Sequence, residues 1–243
     1  MKSQHKPPRI NWRGAFPAPW PAIWLWIFLA IVVLGIATPN NFTLTLIKIG
    51  GIFLCFIYTL RVFPKDHLLQ LALLITFCAD IILAINNTAE VGVLIFLIAQ
   101  ILHTIRLEGK NYLTQIISFA GLAVVAIIVN LCCNIIPMMY LICGFYIVAI
   151  CTNIYVSWCH QHQQPQNPRA ICGLCGFILF LCCDACTGIS YLSLNSLFPA
   201  FLYAPANFFA WFFYYPSQIL VSNSSKCDKM GIKEGNCATN GGR

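Results

Sequence analysis

The chain has 243 residues, of which 59% are hydrophobic and only 9% charged, and its mean hydropathy is +0.78. Soluble domains carry about 25% charged residues, so a water-soluble globular fold is excluded. Repeated apolar stretches near the ~20 residues that cross a bilayer predict an all-α, polytopic membrane helix bundle. The net charge of +7 is more readily read as membrane topology and anionic lipid than as a nucleic-acid surface.

In chain order, a basic arm over residues 1–21 precedes eight predicted spans. They run Ala22–Thr38, Leu44–Phe63, His67–Asn86, Val91–Ile105, Tyr112–Cys133, Met138–Trp158, Ile171–Leu192 and Leu197–Val221. Residues 22–221 thus form one transmembrane domain with brief connections, and the polar tail over 222–243 is expected to be disordered. Gly35-Ile36-Ala37 is similar to a signal-peptide cleavage site. The arm and apolar run before it are long for that purpose, so the first helix is expected to be retained.

Lys and Arg collect in cytoplasmic connections. The arm carries Lys2, Lys6, Arg9 and Arg13; the second, fourth and sixth connections carry Arg61, Lys65, Arg106, Lys110 and Arg169; the tail carries Lys226, Lys229, Lys233 and Arg243. All of these fall on one side, and the intervening connections have none. Both termini are therefore expected in the cytoplasm, and the cell membrane is the expected location. Lys48 is the exception, inside the second span.

The 14 cysteines suggest a disulfide or zinc framework until their context is considered. Cys172-x-x-Cys175 and Cys183-x-x-Cys186 mimic zinc half-sites. On one helix, however, positions 172, 175, 182, 183 and 186 share a face, where Cys serves as a small packing residue. The nearby His160 and His162 are expected in a cytoplasmic loop. No metal and no other cofactor is expected.

Asp80 and Asp184 each lie inside a long apolar run. A charged side chain at mid-membrane costs roughly 3 kcal/mol on insertion scales, so such residues generally serve chemistry or transport. Their surroundings echo each other, Phe77-Cys78-Ala79-Asp80 against Leu181-Cys182-Cys183-Asp184. A second echo, Ala99-Gln100-Ile101-Leu102 against Ser217-Gln218-Ile219-Leu220, follows about one helix later. The duplicated order suggests a 4+4 parallel repeat with a site at its junction.

At ~1.5 Å rise per residue, Asp80, Asp184 and Lys48 reach one depth in the outer half of the membrane. A lysine between two acids would lower the cost of burying them and make the two carboxyls unequal. Gln100 and His103, one turn apart, lie nearer the cytoplasmic half, with Gln218, Tyr214 and Tyr215 as counterparts and Asn153 adding an amide. Such residues would line a cavity or path from Lys48 down to His103. The alternatives are plain: amides that bond neighbouring helices, a His103 facing the aqueous boundary, and a Lys48 that snorkels outward.

The block Leu74-Ile75-Thr76-Phe77-Cys78-Ala79-Asp80-Ile81-Ile82-Leu83 is followed by Gly92-x-x-x-Phe96-x-x-x-Gln100-x-x-His103. A later block is Gly176-Phe177-Ile178-Leu179-Phe180-Leu181-Cys182-Cys183-Asp184, with a terminal Tyr215-x-x-Gln218. Together these resemble the lysoplasmalogenase-like YhhN membrane family over about residues 44 to 221, and Lys48 falls where that family tends to carry a lysine. The chain departs from the family at Ala79, commonly Gly, and Cys183, commonly Ser. It departs again at Gln100, frequently His, and at His103, frequently Tyr.

The resemblance implies hydrolysis of the vinyl ether bond of a lysophospholipid in the bilayer, releasing a fatty aldehyde and a glycerophospho-head group. Asp80 and Asp184 would be the acid and base, with Lys48, Gln100, His103, Asn153, Tyr215 and Gln218 binding substrate or supporting the site. Two buried acids with unequal surroundings suit that chemistry, and no Gly-x-Ser-x-Gly points to an ordinary lipase. The alternative is a proton- or cation-coupled transporter using the same acids. Which aspartate is the acid, and the oligomeric state, stay open at this level.

Overall fold

In a computed structural model the structure describes residues 12, 16–17, 19–37, 42–86, 89–108, 117, 121, 124–131 and 137–224. Most of the amino-terminal arm, most of the fifth predicted span and the tail beyond residue 224 lie outside the described residues. Among the described residues the regular structure is helical: α1 (Trp20–Ala37), α2 (Phe42–Val62), α3 (His67–Asn86) and α4 (Ala89–Glu108) come first. Then follow α5 (124–131), α6 (Met138–Gln163), α7 (Pro168–Leu194), a 3-10 turn (Ala200–Leu202) and α8 (Tyr203–Ser222).

α2, α3, α4, α6 and α7 are long and apolar enough to cross a membrane, and α1 adds a shorter apolar run, Trp20–Val33. α8 is as long as α3, but aromatic and polar residues dilute its hydropathy. Large apolar side chains cover the outside, Trp26 and Phe201 among them, as lipid-facing surfaces require. This is a multi-pass membrane protein.

Helix ends follow local chemistry. Asp66 caps α3, its Oδ1 accepting from the Leu69 N–H at 3.2 Å. Asn167 caps α7, accepting from the Arg169 N–H at 3.0 Å with Pro168 in the first turn, where a missing N–H costs nothing. α8 starts later than the predicted Leu197, because Ser196 has a positive φ of 60° and Pro199 precedes the 3-10 turn. Three predicted loop residues are helical instead: Arg106 in α4, and His160 and His162 in α6. His160 Nε2 lies 3.0 Å from the Leu107 carbonyl, so α6 runs on alongside the end of α4 as a packed helix.

The helices form a ring. α3 packs on α2 and α4, α4 on α6, α6 on α7, α7 on α8, and α8 closes onto α2, with α1 outside against α2 and α8. This order sets α2 opposite α6, α3 opposite α7 and α4 opposite α8, the arrangement a two-fold axis along the bundle generates. α7 crosses α8 closely, and a Cβ on Gly176 would meet the Val221 backbone nitrogen at 2.9 Å. Small residues permit such approach where lipid offers no hydrophobic drive between helices. α1 docks through aromatic rings, Trp24 and Trp20 lying 4.6 and 5.0 Å from Tyr58.

Candidate functional site

The ring lines a partly open cavity of about 460 Å³ away from the basic end of the bundle. Each of its six helices contributes to the wall. α2 supplies Thr45 and Ile49, α4 supplies Val93 and Phe96, and α6 supplies Tyr146. Asp80 on α3 and Asp184 on α7 line this cavity from opposite sides of the ring.

Each acid is held by a tyrosine from another helix. Tyr214 of α8 donates to Asp80 Oδ2 at 2.7 Å, and Tyr146 of α6 donates to Asp184 Oδ2, also at 2.7 Å. These short bonds engage one oxygen of each carboxyl. The two acids are not equivalent: Asp80 is 7% exposed, whereas Asp184 is half-buried. Phe96 packs on both tyrosines and Phe180 on Tyr214, the two phenylalanine ring centroids lying 6.1 Å apart. Thr187, Ser190 and Asn207 add polar groups to an otherwise apolar wall.

The other predicted residues lie elsewhere. Lys48 is buried, and its Nζ sits 4.1 Å from the ring centroid of Trp211, a cavity residue. Lys48 itself is not part of the cavity wall, and among the described residues it makes no ion pair with either acid. Gln100 and Asn153 bond each other between α4 and α6, with Gln100 Nε2 buried and left without a partner among the described residues. Asn153 Nδ2 donates to Gln100 Oε1 at 2.8 Å and to the Gln100 carbonyl at 3.0 Å, while Thr104 donates to Asn153 Oδ1 at 2.9 Å. His103 is 2% exposed and packs edge-on to Phe177 at 5.2 Å. The reading in which it faces the aqueous boundary is therefore corrected, since α4 continues past it and the histidine points into the helix packing.

Gln218 and Tyr215 are also buried and outside the cavity wall. Tyr215 leans on α2, where a Cβ on Gly51 would meet its ring at 2.5 Å. Nearest the basic end, the Arg106 guanidinium reaches Asp66 at 3.5 Å and donates to Ser224 Oγ at 2.7 Å. The expected continuous path from Lys48 to His103 is thus divided into a cavity and a packed polar layer.

Tyr146 is not among the residues expected from sequence, and Tyr214 is expected only as a lining residue beside Tyr215 and Gln218. Tyr146 lies two turns before Asn153 on α6, and Tyr214 one turn before Gln218 on α8; both spacings share a helix face. That periodicity was the available signal, whereas the Tyr215-x-x-Gln218 motif directs attention one residue too far along.

Among the described residues no three His, Cys, Asp or Glu side chains converge. The ten described cysteines are free thiols. The α7 stripe also does not share one buried face, since Cys172 and Cys183 are buried while Cys175 is exposed. It follows the border between helix packing and lipid.

The model of the YhhN family matches residues 42–225, from α2 through the end of α8. The chain belongs to the YhhN family. The matched segment contains all six helices of the ring and every residue of the cavity wall. No curated protein and no solved structure matches the chain.

Proposed function

We propose that this YhhN-family protein is an integral-membrane hydrolase of the lysoplasmalogenase type. It cleaves the vinyl ether bond of a lysophospholipid to give a fatty aldehyde and a glycerophospho-head group. The observation that carries the reading is the pair of tyrosine-held carboxyls, Asp80 and Asp184, on opposite walls of one partly open cavity.

The reaction needs a proton delivered to carbon and a water delivered to the neighbouring carbon. Asp80, the more buried acid, donates its proton to the alkenyl carbon one bond removed from the ether-bearing carbon. An oxocarbenium ion results. Asp184, the more accessible carboxylate, stabilises this cation and removes a proton from the water that attacks it. The hemiacetal then collapses as its hydroxyl proton passes to the Asp80 carboxylate, and Asp184 returns its proton to the departing glycerol oxygen. One water is consumed and both acids end as they began. The division of labour parallels that of two-carboxylate glycosidases.

The concentration of Lys and Arg at one end of the bundle supports an orientation with both termini, including the basic arm and polar tail, in the cytoplasm. The cavity then opens toward the outer half of what we take to be the cell membrane, where single-chain lipid is reached from the bilayer. The residue chemistry needs no cofactor. Purified protein is expected to release aldehyde from a vinyl-ether lysophospholipid but not from its ester-linked analogue. Release undiminished by Asp80→Asn, or proton-coupled solute flux without any release, would replace this reading with the transporter.

A further inference from the structure

Five polar atoms in the packed layer have no partner among the described residues: Gln100 Nε2, His103 Nδ1, Arg106 Nε, Ser157 Oγ and Gln218 Nε2. Their residues are at most 3% exposed, so neither bulk water nor a lipid headgroup reaches them. Turning the Gln100 amide over does not help. Its Oε1 already accepts from Asn153 Nδ2 at 2.8 Å, and a flipped amide would set one donor against another. Buried polar groups in native proteins are met by protein or by ordered water.

The register of α4 and α8 brings these atoms to one strip of the interior. The two helices stand opposite in the ring, and their side chains meet across it at two levels. Phe96 and Tyr214 pack at the cavity with ring centroids 6.5 Å apart, and Arg106 donates to Ser224 Oγ at 2.7 Å near the basic end. Gln100 follows Phe96 by four residues and Gln218 follows Tyr214 by four. Both amides therefore lie on those same faces, between the two meetings. His103 comes one turn further along α4. Ser157 lies near the lower meeting, since a Cβ on Gly173 would be 3.8 Å from its Oγ and 3.2 Å from Ser224 Cβ. At the upper end the Gln100 amide approaches the Tyr146 hydroxyl, which holds Asp184.

We infer that the layer binds a file of single waters, centred between Gln100 and Gln218, and that this file carries the hydrolytic water from the basic end to the Asp184 side of the cavity. Water suits these groups better than an ion does. It accepts from the two amides and from Arg106 Nε, and it still donates to His103 or Ser157. An anion would find Arg106 already balanced by Asp66, and at the upper end it would meet the Asp184 carboxyl behind Tyr146. A second entrance also answers a need of the reaction. Lipid enters the cavity from the bilayer, and its apolar chain keeps water from following it. The water consumed in each turnover then has to arrive from another side. The use of that water rests on the hydrolase reading, whereas the presence of the file does not.

The full-length protein in nanodiscs is exposed to millisecond X-ray pulses, which split bound water into hydroxyl radicals that oxidise the side chains beside it. Phe177, fully buried and edge-on to His103, is the probe; Tyr58, equally buried and bonded to Asn223, is the control. Oxidation of Phe177 above that of Tyr58 is expected, although a phenol is the more reactive ring. Gln218→Met keeps the shape and removes the donor. It is expected to abolish Phe177 oxidation without lowering the thermal midpoint. It should also reduce kcat about tenfold, the scale of one lost water-mediated hydrogen bond, with KM unchanged. Phe177 no more oxidised than Tyr58 in the unaltered protein would overturn the inference even if the variant failed to fold. So would Phe177 oxidation that persists in folded Gln218→Met, and loss of oxidation with kcat unchanged would overturn the supply role. Aldehyde release is scored separately. Phe177 oxidation without release removes the hydrolase and keeps the water site, and release without Phe177 oxidation does the reverse.

Discussion

Two polar regions share the interior of this bundle and were built for opposite ends. Toward one end, Asp80, Asp184, Tyr146 and Tyr214 surround a cavity of about 460 Å³. Toward the other, Gln100, Asn153 and Thr104 bond one another, and Arg106 joins Asp66 and Ser224. In that layer donors and acceptors from different helices meet directly, while Gln100 Nε2, His103 Nδ1, Arg106 Nε and Gln218 Nε2 stay buried without a partner among the described residues. In the cavity each acid has one oxygen tied to a tyrosine, and space remains beside it. A buried polar residue next to space can act on a ligand; one that is bonded to its neighbours holds helices together. The comparison therefore separates residues that sequence alone treats as one group.

The contrast can be broken by substitution. Asp80→Asn and Asp184→Asn are expected to lower aldehyde release by ~10²–10⁴-fold each with the thermal midpoint little changed, because an amide keeps the shape and relieves the burial of a charge. The double variant should be little slower than either single one, since the two acids act as a unit. Steady-state kinetics and a thermal shift assay together check both halves of that expectation. Wild-type rates in either single variant would remove the cavity from the chemistry.

Arg106→Leu is expected to produce the largest loss of stability. Removing one partner of a buried pair costs about 3–5 kcal/mol, and here it leaves Asp66 without its cation. Denaturation in mixed micelles should show this loss, while KM measured on the folded fraction stays constant. An altered KM with unaltered stability would assign Arg106 to the site and blur the division between the two regions.

Tyr146→Phe and Tyr214→Phe sharpen the comparison within the cavity. Each removes one short hydrogen bond to a carboxyl, for which about 1.5–3 kcal/mol, or roughly 10–150-fold in rate, is the expected scale. The effect should fall on kcat more than on KM, because the tyrosines orient the acids and do not hold the lipid. Tyr215→Phe, by contrast, should leave turnover unchanged. The smallest effect is expected from the thiols: a chelator, or replacement of exposed Cys175 by Ala, should leave aldehyde release within about twofold, in keeping with surface substitutions.

Much of the architecture was legible from the chain. Asp80 and Asp184 stood out because charge is expensive in hydrocarbon, and the echoed segments around them anticipated their opposition across the ring. The ends of α4 and α6 were harder. Arg106, His160 and His162 suggest water by composition, yet each sits in a helix whose backbone bonds and packing outweigh that preference. The separation of cavity from packed layer was not legible either. Gln100, Asn153 and Gln218 share the depth and polarity of site residues, and only the positions of their neighbours reveal that Asn153 bonds Gln100 directly. Tyr214 and Tyr215 were named together for the path, and the motif singled out Tyr215 for a related reason: adjacent residues on a helix point about 100° apart, and a motif does not say which faces the ring.

The central claim is that two cavity acids protonate carbon and deliver water to a vinyl ether, and the most direct measurement follows the proton. Purified protein is incubated in D₂O with a vinyl-ether lysophospholipid, and the fatty aldehyde is trapped at once and examined by mass spectrometry. The account requires one deuterium on the carbon next to the aldehyde group, with release abolished in Asp80→Asn. Aldehyde without that deuterium, or the same deuterated product formed at wild-type rate by Asp80→Asn, would contradict it.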